Sequence, residues 1–452
     1  MSANLTEGKI LSTLLRLGLP IAGVQAMNMA YNITDMFWLG RVSSDALAAT
    51  GVAGLYLWLS VGLMIIGRVG AEIGVSQARG REDIDAAYHF SRTALYISAF
   101  LGLAYGAFLF FLRNPLVGFF DFEEVHVAAY AISYIGIMAL GMPAMFIGSS
   151  IDGTFVASGN SRTPFIIGSS GLILNMILTP IFIFSLGLGV IGAAASSVIS
   201  QYTVFAVRLY AIKFLKNRPF EVYSFLMPFK LDDTVKKILR LTLPISLENS
   251  LFPFLTMWTT RFEVGFGASA VSLSRVGTQI ESLSWLVGAG FGAALTAFVG
   301  QNFAAKKFER VTRGVRYTSG VLLIWGLFVT LVLAFGGNFF FDIFLPEYAY
   351  NVELRRLFIT FLRILAACQI FSNLEFVATN AFRGKGKTIP PSVVSISSNL
   401  IRVPLAFGLS LTPLGLLGIW IAVSFTSGLR GLAVMLWYII DSMFEHKRRD
   451  MA

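Results

Sequence analysis

The sequence predicts an all-α integral membrane protein with twelve transmembrane helices in two pseudo-symmetric six-helix bundles. Three observations lead to this fold class. Hydrophobic residues make up 56% of the 452 residues and charged residues only 13%, whereas a soluble domain has about 25% charged residues. Long apolar stretches recur along the whole chain, and its mean hydropathy is +0.72. The second half of the chain also repeats patterns of the first half.

The apolar stretches are long enough to cross the hydrocarbon core of a bilayer, about 30 Å thick, as helices. Short charged or Gly/Pro-rich segments separate them. The predicted spans are 12–39, 49–75, 88–112, 126–156, 163–186, 189–215, 237–264, 270–300, 315–342, 354–381, 389–411 and 414–440. The first stretch lacks the small-residue cleavage site of a signal peptide, so we expect it to be retained. The single cysteine, Cys368, excludes an internal disulfide.

The net charge of +10 is distributed by side of the membrane. Alternate loops carry most of the Lys and Arg residues, and the remaining loops carry few. The positive-inside rule therefore predicts a multi-pass protein of the cytoplasmic (inner) membrane with both termini in the cytoplasm. This distribution accounts for the basic residues without a nucleic-acid partner. We expect a monomer in the lipid bilayer.

The two halves contain matching motifs at a nearly constant offset, which indicates an internal repeat. The matches are LRLGLPI at 15–21 with LRLTLPI at 239–245, Gln77 with Gln301, Asn175 with Asn399, and, after a two-residue shift, LGVIGAAASS at 188–197 with LGLLGIWIAV at 414–423. An even number of spans per repeat makes the halves parallel, which is an architecture of alternating-access transporters. We predict an N-terminal bundle at 1–215, a cytoplasmic linker at 216–236 and a C-terminal bundle at 237–452.

A lone carboxylate, Asp35, interrupts the first apolar span in MNMAYNITDMFWLGR at 27–41. A charge at the centre of a bilayer helix costs about 2.5–3.5 kcal/mol on insertion scales. Asp35 could be a helix-end group that reaches outward to Arg41 or water. Alternatively, it faces the bundle interior and binds a proton or a cation. With offset 224 its counterpart in the second half is the uncharged Thr259.

Polar side chains in the fifth and sixth spans form a second candidate group. Asn175 and Thr179 are four residues apart and therefore lie on one face of a helix. Pro180 frees a backbone carbonyl nearby, and the sixth span adds Ser196 and Ser197. Such groups commonly join packed helices. Together with Asp35 they would also form an all-oxygen site for a hard cation.

These motifs resemble those of the multidrug and toxic compound extrusion (MATE) transporters, over the whole chain and especially in YNITDMFWLG, N-x-x-L-x-P and GAAASS. Within that family, which is part of the multidrug/oligosaccharidyl-lipid/polysaccharide exporter superfamily, the sequence resembles the DinF-like branch more than the NorM-like branch. The resemblance implies that Asp35 is the coupling carboxylate and that Asn175 and Ser197 lie in its site. It also implies that Tyr31, Tyr134 and Asp152 line the N-lobe substrate pocket.

The sequence departs from this branch at one important position. The branch usually has a second aspartate where this chain has Thr179. A single acid weakens the expectation of a tight sodium site at Asp35, Asn175, Thr179 and Ser197. It leaves proton coupling through Asp35 alone, with Asp152 of the fourth span as a candidate second carboxylate, and the choice between H⁺ and Na⁺ stays open. The resemblance further implies that the first helix bends at Pro20 when Asp35 is protonated.

The second half has its own charges within the spans. These C-lobe candidates are Glu248, Arg275, Glu281, Glu375 and Arg402. The NorM-like branch couples cations through C-lobe acids, which makes Glu248 and Glu375 candidates. The alternative is structural pairing, of Arg275 with Glu281 or Glu248 and of Arg402 with Glu375, since intramembrane charges usually neutralise one another.

Three function classes follow from the sequence. The first is an antiporter, coupled to H⁺ or Na⁺, that exports small organic, cationic and amphipathic compounds. The second is a flippase for a lipid-linked oligosaccharide or another lipid of the same superfamily. The third, an intramembrane enzyme, is disfavoured because the His residues have no metal-ligand spacing and Cys368 has no evident base. We therefore expect no enzymatic activity, no cofactor and no metal beyond a coupling Na⁺.

Overall fold

The computed structural model describes residues 5–42, 44–120, 125–224, 232–345, 348 and 350–450. The side chains of Tyr31 and Asp35 lie outside this description, although both residues belong to a described helix. The regular structure of the described residues is helical, which confirms the predicted all-α membrane fold.

The described residues of the first half form six long helices. They are α1 (Ile10–Val42), α2 (Ser44–Gly80), α3 (Ile84–Gly118), α4 (Val125–Ala157), α5 (Arg162–Pro180) and α6 (Gly189–Phe214). A short π-helical segment, Ile181–Ser185, continues α5 beyond Pro180. Helix α1 runs through Pro20 without a break in its assignment, and bending at Pro20 stays a prediction.

In the second half, the part of the chain that the structure describes adds six long helices and one short helix. They are α7 (Asp233–Val264), α8 (Ala268–Ala304), α9 (Phe308–Phe335), the short α10 (Gly337–Phe344), α11 (Val352–Gly384), α12 (Ile389–Ser410) and α13 (Leu416–Asp450). Each predicted span overlaps one long helix. The predicted span 315–342 is wrong in one respect, because it covers α9 and most of a separate helix, α10. Adjacent Gly336 and Gly337 explain the break, since glycine disfavours helix continuation.

Eleven segments within the described residues are long and apolar enough to cross a membrane. They lie in every long helix except α7. That helix carries Glu248 and Asn249 near its midpoint, and these polar residues lower its mean hydropathy. The twelve-span prediction therefore rests, for α7, on length and on the repeat.

The chain divides into two compact units, and three of the five limits between them fall inside helices. Unit 1 contains 1–8, 23–249 and 300–307, and unit 2 contains 9–22, 250–299 and 308–452. Helices α1, α7 and α8 thus each contribute residues to both units. The sequence-based division into 1–215 and 237–452, separated by the linker, differs from these units because it follows the internal repeat. That division stays a prediction.

Apolar side chains fill the interior of each unit. Among the described residues of unit 1 lie two core clusters, one of which includes Leu39, Tyr134, Phe146 and Ala194. The core of unit 2 includes Phe341, Phe358, Phe361 and Trp420. The predicted linker packs on unit 1 through two buried aromatic residues, Phe220 and Tyr223. The Tyr223 hydroxyl lies 2.9 Å from Ser91 Oγ, and burial raises the pKa of Tyr223.

Candidate functional site

A close approach of α5 and α6 builds the polar site of unit 1. A Cβ atom added at Gly171 would lie 2.0 Å from a methyl group of Val204, and one added at Gly192 would lie 2.6 Å from the Phe182 carbonyl oxygen. The absence of a side chain at these two glycines lets the helices approach closely. Small residues commonly allow such contacts between membrane helices.

Four buried polar residues lie between these two helices. Asn175, Thr179, Ser196 and Ser197 are each at most 4% exposed. Asn175 Nδ2 donates to Ser197 Oγ at 3.1 Å, and Thr179 Oγ1 donates to Asn175 Oδ1 at 3.1 Å. Thr179 Oγ1 also lies 2.9 Å from Ser196 Oγ. The structure therefore brings these four predicted residues together in one hydrogen-bonded network.

The network has fewer hydroxyl protons than contacts at Thr179 and Ser196. Ser196 Oγ is 2.9 Å from the Ala193 carbonyl oxygen, in addition to its contact with Thr179. Each hydroxyl has a single proton to donate. The two protons thus serve three contacts: Thr179 to Asn175, Thr179 to Ser196, and Ser196 to Ala193. Three assignments of the two protons are possible, and each leaves a different one of the three contacts without a proton.

The other residues predicted for the N-lobe site fall into two groups. Asp35 and Tyr31 lie on α1, and their side chains are outside the described part of the chain. Tyr134 on α4 is 5% exposed and belongs to an apolar core cluster of unit 1. A role for these residues in coupling or substrate binding stays a prediction.

Asp152 on α4 forms an ion pair with Arg208 on α6. Arg208 Nε donates to Asp152 Oδ1 at 2.9 Å and Arg208 Nη2 donates to Asp152 Oδ2 at 2.7 Å. Gly148 makes room for this guanidinium, because a Cβ there would lie 2.7 Å from Arg208 Nη1. Arg68 is a second cation that attracts the same carboxylate electrostatically. Both oxygens of Asp152 are therefore engaged by a cation of its own unit.

Three of the C-lobe candidates, Glu281, Glu375 and Arg402, lie among buried or partly buried polar groups of unit 2. Gln369 Nε2 donates to Glu281 Oε1 at 2.9 Å, and Arg430 Nε donates to Glu375 Oε2 at 2.8 Å. Arg402 is 7% exposed and donates to Thr426 and Ser427.

The structure corrects the pairing expected for this cluster. The predicted Arg402–Glu375 pair is wrong, because Glu375 pairs with Arg430 and Arg402 donates to hydroxyl groups. Arg275 is exposed, and it takes part in none of the ion pairs found among the described residues. Glu281 is held by Gln369 rather than by Arg275, and Glu248 is partly buried on α7.

Sequence reasoning missed several buried polar residues of unit 2. Gln369 and Asn373 are fully buried on α11, and Glu263 is buried in the last turn of α7. The four-residue spacing of Gln369 and Asn373 was a signal that placed both on one helix face. Glu263 lies at the end of a predicted span, where an acid is expected to reach water and does not indicate a buried site. Within the described ranges, no group of three or more His, Cys, Asp or Glu side chains could hold a metal ion.

Comparison with known proteins finds relatives over nearly the whole chain. The MatE family model matches residues 20–181 and 244–407, two segments that begin 224 and end 226 residues apart, as the internal repeat does. The probable multidrug resistance protein NorM of Thermotoga maritima is 26% identical over 421 residues, 92% of this chain and 89% of the relative. The probable multidrug resistance protein YpnP of Bacillus subtilis is 24% identical over 441 residues, 96% of each chain. The structure of a MOP superfamily transporter from Pyrococcus furiosus superposes with a TM-score of 0.89 at 21% identity and 97% coverage of both chains.

Proposed function

The chain belongs to the MatE family, and from this premise we propose that it is a multidrug efflux transporter that exchanges organic cations for protons by alternating access. Its relatives in Thermotoga maritima and Bacillus subtilis are named as probable multidrug resistance proteins. Substrates of this class are amphipathic and positively charged, and Asp35 is the carboxylate that binds the proton. Export across the cytoplasmic membrane follows the positive-inside orientation of the sequence.

The observation that carries the coupling mechanism is the hydroxyl–amide network of unit 1. Asn175, Thr179, Ser196 and Ser197 are buried from solvent and bonded to one another. A proton leaving or reaching a carboxylate beside this network would reverse the direction in which the hydroxyl groups donate. Thr179 occupies the position where the DinF-like branch has a second acid, and its hydroxyl preserves the hydrogen bond to Asn175.

The same network supports proton coupling over sodium coupling. A sodium site in proteins is built from oxygen atoms that point at the ion. Here the Asn175 oxygen accepts from Thr179, and the Asn175 amide nitrogen occupies the side facing Ser197. One acid with a neutral network is suited to a single proton.

The direct test is transport in everted membrane vesicles under an imposed proton gradient or an imposed sodium gradient. We expect efflux of a fluorescent organic cation to follow the proton gradient and to be abolished in Asp35→Asn. The matched control is Asp233→Asn, since the Asp233 side chain is fully exposed at the start of α7 and its neutralisation should leave transport unchanged. Transport driven only by sodium would overturn proton coupling, and full transport by Asp35→Asn would overturn the assignment of Asp35.

The lipid flippase remains the second candidate and requires arginines that reach an anionic headgroup. Arg402 is buried and engaged with Thr426 and Ser427, which argues against its role in lipid binding. Arg261 and Arg275 are exposed. A protein that tolerates Asp35→Asn and loses activity in Arg275→Gln would favour the flippase.

A further inference from the structure

A short segment before α1, residues 5–8, packs within unit 1, and no function proposed so far uses it. We call this segment the strap. Its first residue, Leu5, is 1% exposed, although segments outside helices usually lie at the surface. The end of α8 and the turn that follows it, residues 300–307, belong to the same unit, and they hold the strap.

Two adjacent amide side chains at the end of α8 bind the backbone of Leu5. Gln301 Oε1 accepts a hydrogen bond from the Leu5 N–H at 3.1 Å, and Asn302 Nδ2 donates to the Leu5 carbonyl oxygen at 3.0 Å. Gln301 is 3% exposed and Asn302 is fully buried. Both backbone groups of Leu5 are thus satisfied away from water, where an unpaired group would be costly.

Lys307 extends this contact by one residue of the strap. Its Nζ donates to the Thr6 carbonyl oxygen at 3.1 Å and to Thr6 Oγ1 at 3.0 Å. The Lys307 N–H in turn donates to the Asn302 carbonyl oxygen at 2.8 Å. The turn after α8 is therefore folded back on Asn302 while its lysine binds the strap.

Gln301 also connects the strap to the ends of two other helices of unit 1. Its Nε2 donates at 2.7 Å to the carbonyl oxygen of Ala157, the last residue of α4, and such a carbonyl has no partner within its own helix. A Cβ at Gly80, the last residue of α2, would lie 2.1 Å from the Gln301 carbonyl oxygen. The ends of α2, α4 and α8 and the strap therefore meet at Gln301.

The internal repeat indicates that helix packing at this place does not need the groups that bind the strap. The first-half counterpart of Asn302, at offset 224, is Ala78, which is fully buried in an apolar core cluster. That of Lys307 is Asp83, which caps α3. The second half thus has an amide donor and an amine where the first half has a methyl group and a helix cap.

The strap lies at a place where movement matters for a transporter. The loop that contains Lys306 and Lys307 is one of the basic loops predicted to be cytoplasmic. Helix α8 has residues 268–299 in unit 2 and its last residues in unit 1. The end of α8 moves away from α2 and α4 only if the hydrogen bonds of Gln301 and Asn302 are broken.

We propose that the strap holds the predicted cytoplasmic end of unit 1 closed and must release α8 before this end opens. The inference rests on the proposed transport cycle in one respect, because alternating access requires an opening to the cytoplasm. The holding contact itself belongs to unit 1 and can be measured without transport.

A single thiol beside the contact reports its opening. Ser158 follows Ala157 and is fully buried, and its hydroxyl has no hydrogen-bond partner among the described residues, so Ser158→Cys is a mild change. With Cys368→Ala as background, this thiol is the only one in the protein. A buried thiol reacts with a maleimide only when its surroundings open, so its labelling rate in detergent follows the population of the open form.

Two variants weaken the contact from opposite sides. Leu5→Glu places a charge in the buried position of the strap, and Asn302→Leu removes the donor to the Leu5 carbonyl group. Each should raise the labelling rate of Ser158→Cys by about tenfold or more. The matched control is Thr312→Ala, whose exposed hydroxyl bonds only to its own helix and whose loss should leave the rate unchanged.

The native thiol, Cys368, separates release of the strap from general loosening. It is 3% exposed in unit 2, and its labelling in Leu5→Glu and Asn302→Leu should stay as slow as in the parent. Unchanged labelling of Ser158→Cys in both variants, or equal acceleration at Cys368, would overturn the proposal.

A reversible cross-link tests whether the strap must release during transport. Thr6→Cys and Lys307→Cys, combined with Cys368→Ala, are joined by a bifunctional methanethiosulfonate. We expect efflux of the fluorescent organic cation to stop after cross-linking and to return on reduction, whereas the reagent should leave efflux by each single cysteine variant unchanged. Full efflux by the cross-linked protein would overturn release of the strap. A parent that moves no organic cation would contradict the proposed function, and the labelling rates would still decide whether the strap holds unit 1 closed.

Discussion

The Asp152–Arg208 pair should show a large penalty when one partner is removed and a small penalty when both are replaced. Both side chains are about 15% exposed and joined by two hydrogen bonds. Removing one partner of a buried pair costs about 3–5 kcal/mol, because the other charge is left uncompensated. Arg208→Met leaves Asp152 with only Arg68 as a nearby cation, so we expect about 3 kcal/mol.

The double variant Asp152→Leu with Arg208→Met removes both charges and keeps most of the apolar volume. Replacement of a whole buried pair is often neutral or stabilising. For a unit of about 240 residues, about 1 kcal/mol corresponds to about 2–4 °C in melting temperature. The single variant should therefore melt about 6–12 °C below the parent, and the double variant should recover most of this loss.

The assay is thermal unfolding of the purified protein in detergent for the parent, both single variants and the double variant. A double-mutant cycle then yields the coupling energy of the two side chains. A melting temperature of Arg208→Met within about 2 °C of the parent, or a double variant as unstable as the sum of the two single variants, would show that the two charges do not compensate each other.

Three further predictions follow from single contacts. Gly80→Ala should strongly destabilise unit 1, because the new Cβ would lie 2.1 Å from a backbone oxygen of α8. Gly54→Ala is the control: a Cβ there has nothing within 4 Å, so it should be neutral or stabilising by up to about 1 kcal/mol. The melting temperatures of the two variants are compared with that of the parent. Thr179→Val keeps the side-chain shape and removes the hydroxyl, so we expect a loss of about 1–3 kcal/mol and slower proton-driven efflux; unchanged efflux would exclude the hydroxyl from coupling. Burial raises the pKa of Asp232, but hydrogen bonds from His89 and from backbone N–H groups outweigh this effect and hold the pKa below its usual value. The ionised Asp232 carboxylate therefore stabilises the folded state fully above about pH 3.9. This stabilisation is lost as the pH falls through the lower pKa of the folded state. The melting temperature of Asp232→Asn should lack this dependence on acid.

The fold was largely predictable because the bilayer imposes length and composition on every span. The exception at α9 and α10 depends on two adjacent glycines within a continuously apolar stretch, and hydropathy does not register such a break. The sharing of α1, α7 and α8 between the two units depends on tertiary contacts, which the repeat does not describe.

The polar site was predictable where its residues lie on one helix face. Asn175 and Thr179 are four residues apart, and the structure brings them onto Ser196 and Ser197. The partner of Glu375 was not predictable, since spacing along a helix does not reveal which neighbouring helix faces it. Glu375 lies on α11, which packs mainly against α9 and α13. Its partner is therefore Arg430 of α13 and not Arg402 of α12.

The π-helical segment Ile181–Ser185 has a mechanical consequence for the polar network. Its i to i+5 bond joins the Leu186 N–H to the Ile181 carbonyl oxygen, so this turn holds one residue more than an α-helical turn. Each residue of an α-helix spans about 100° around its axis. In an ordinary helix one extra residue would turn the chain beyond it by that angle, whereas the wider turn takes up the residue locally. Deleting a single residue between Ile181 and Ser185 would therefore restore an ordinary turn and leave Asn175, Thr179 and the chain leading into α6 close to their present orientation. Such a deletion tests whether the wide turn is needed, while every residue of the polar network is kept.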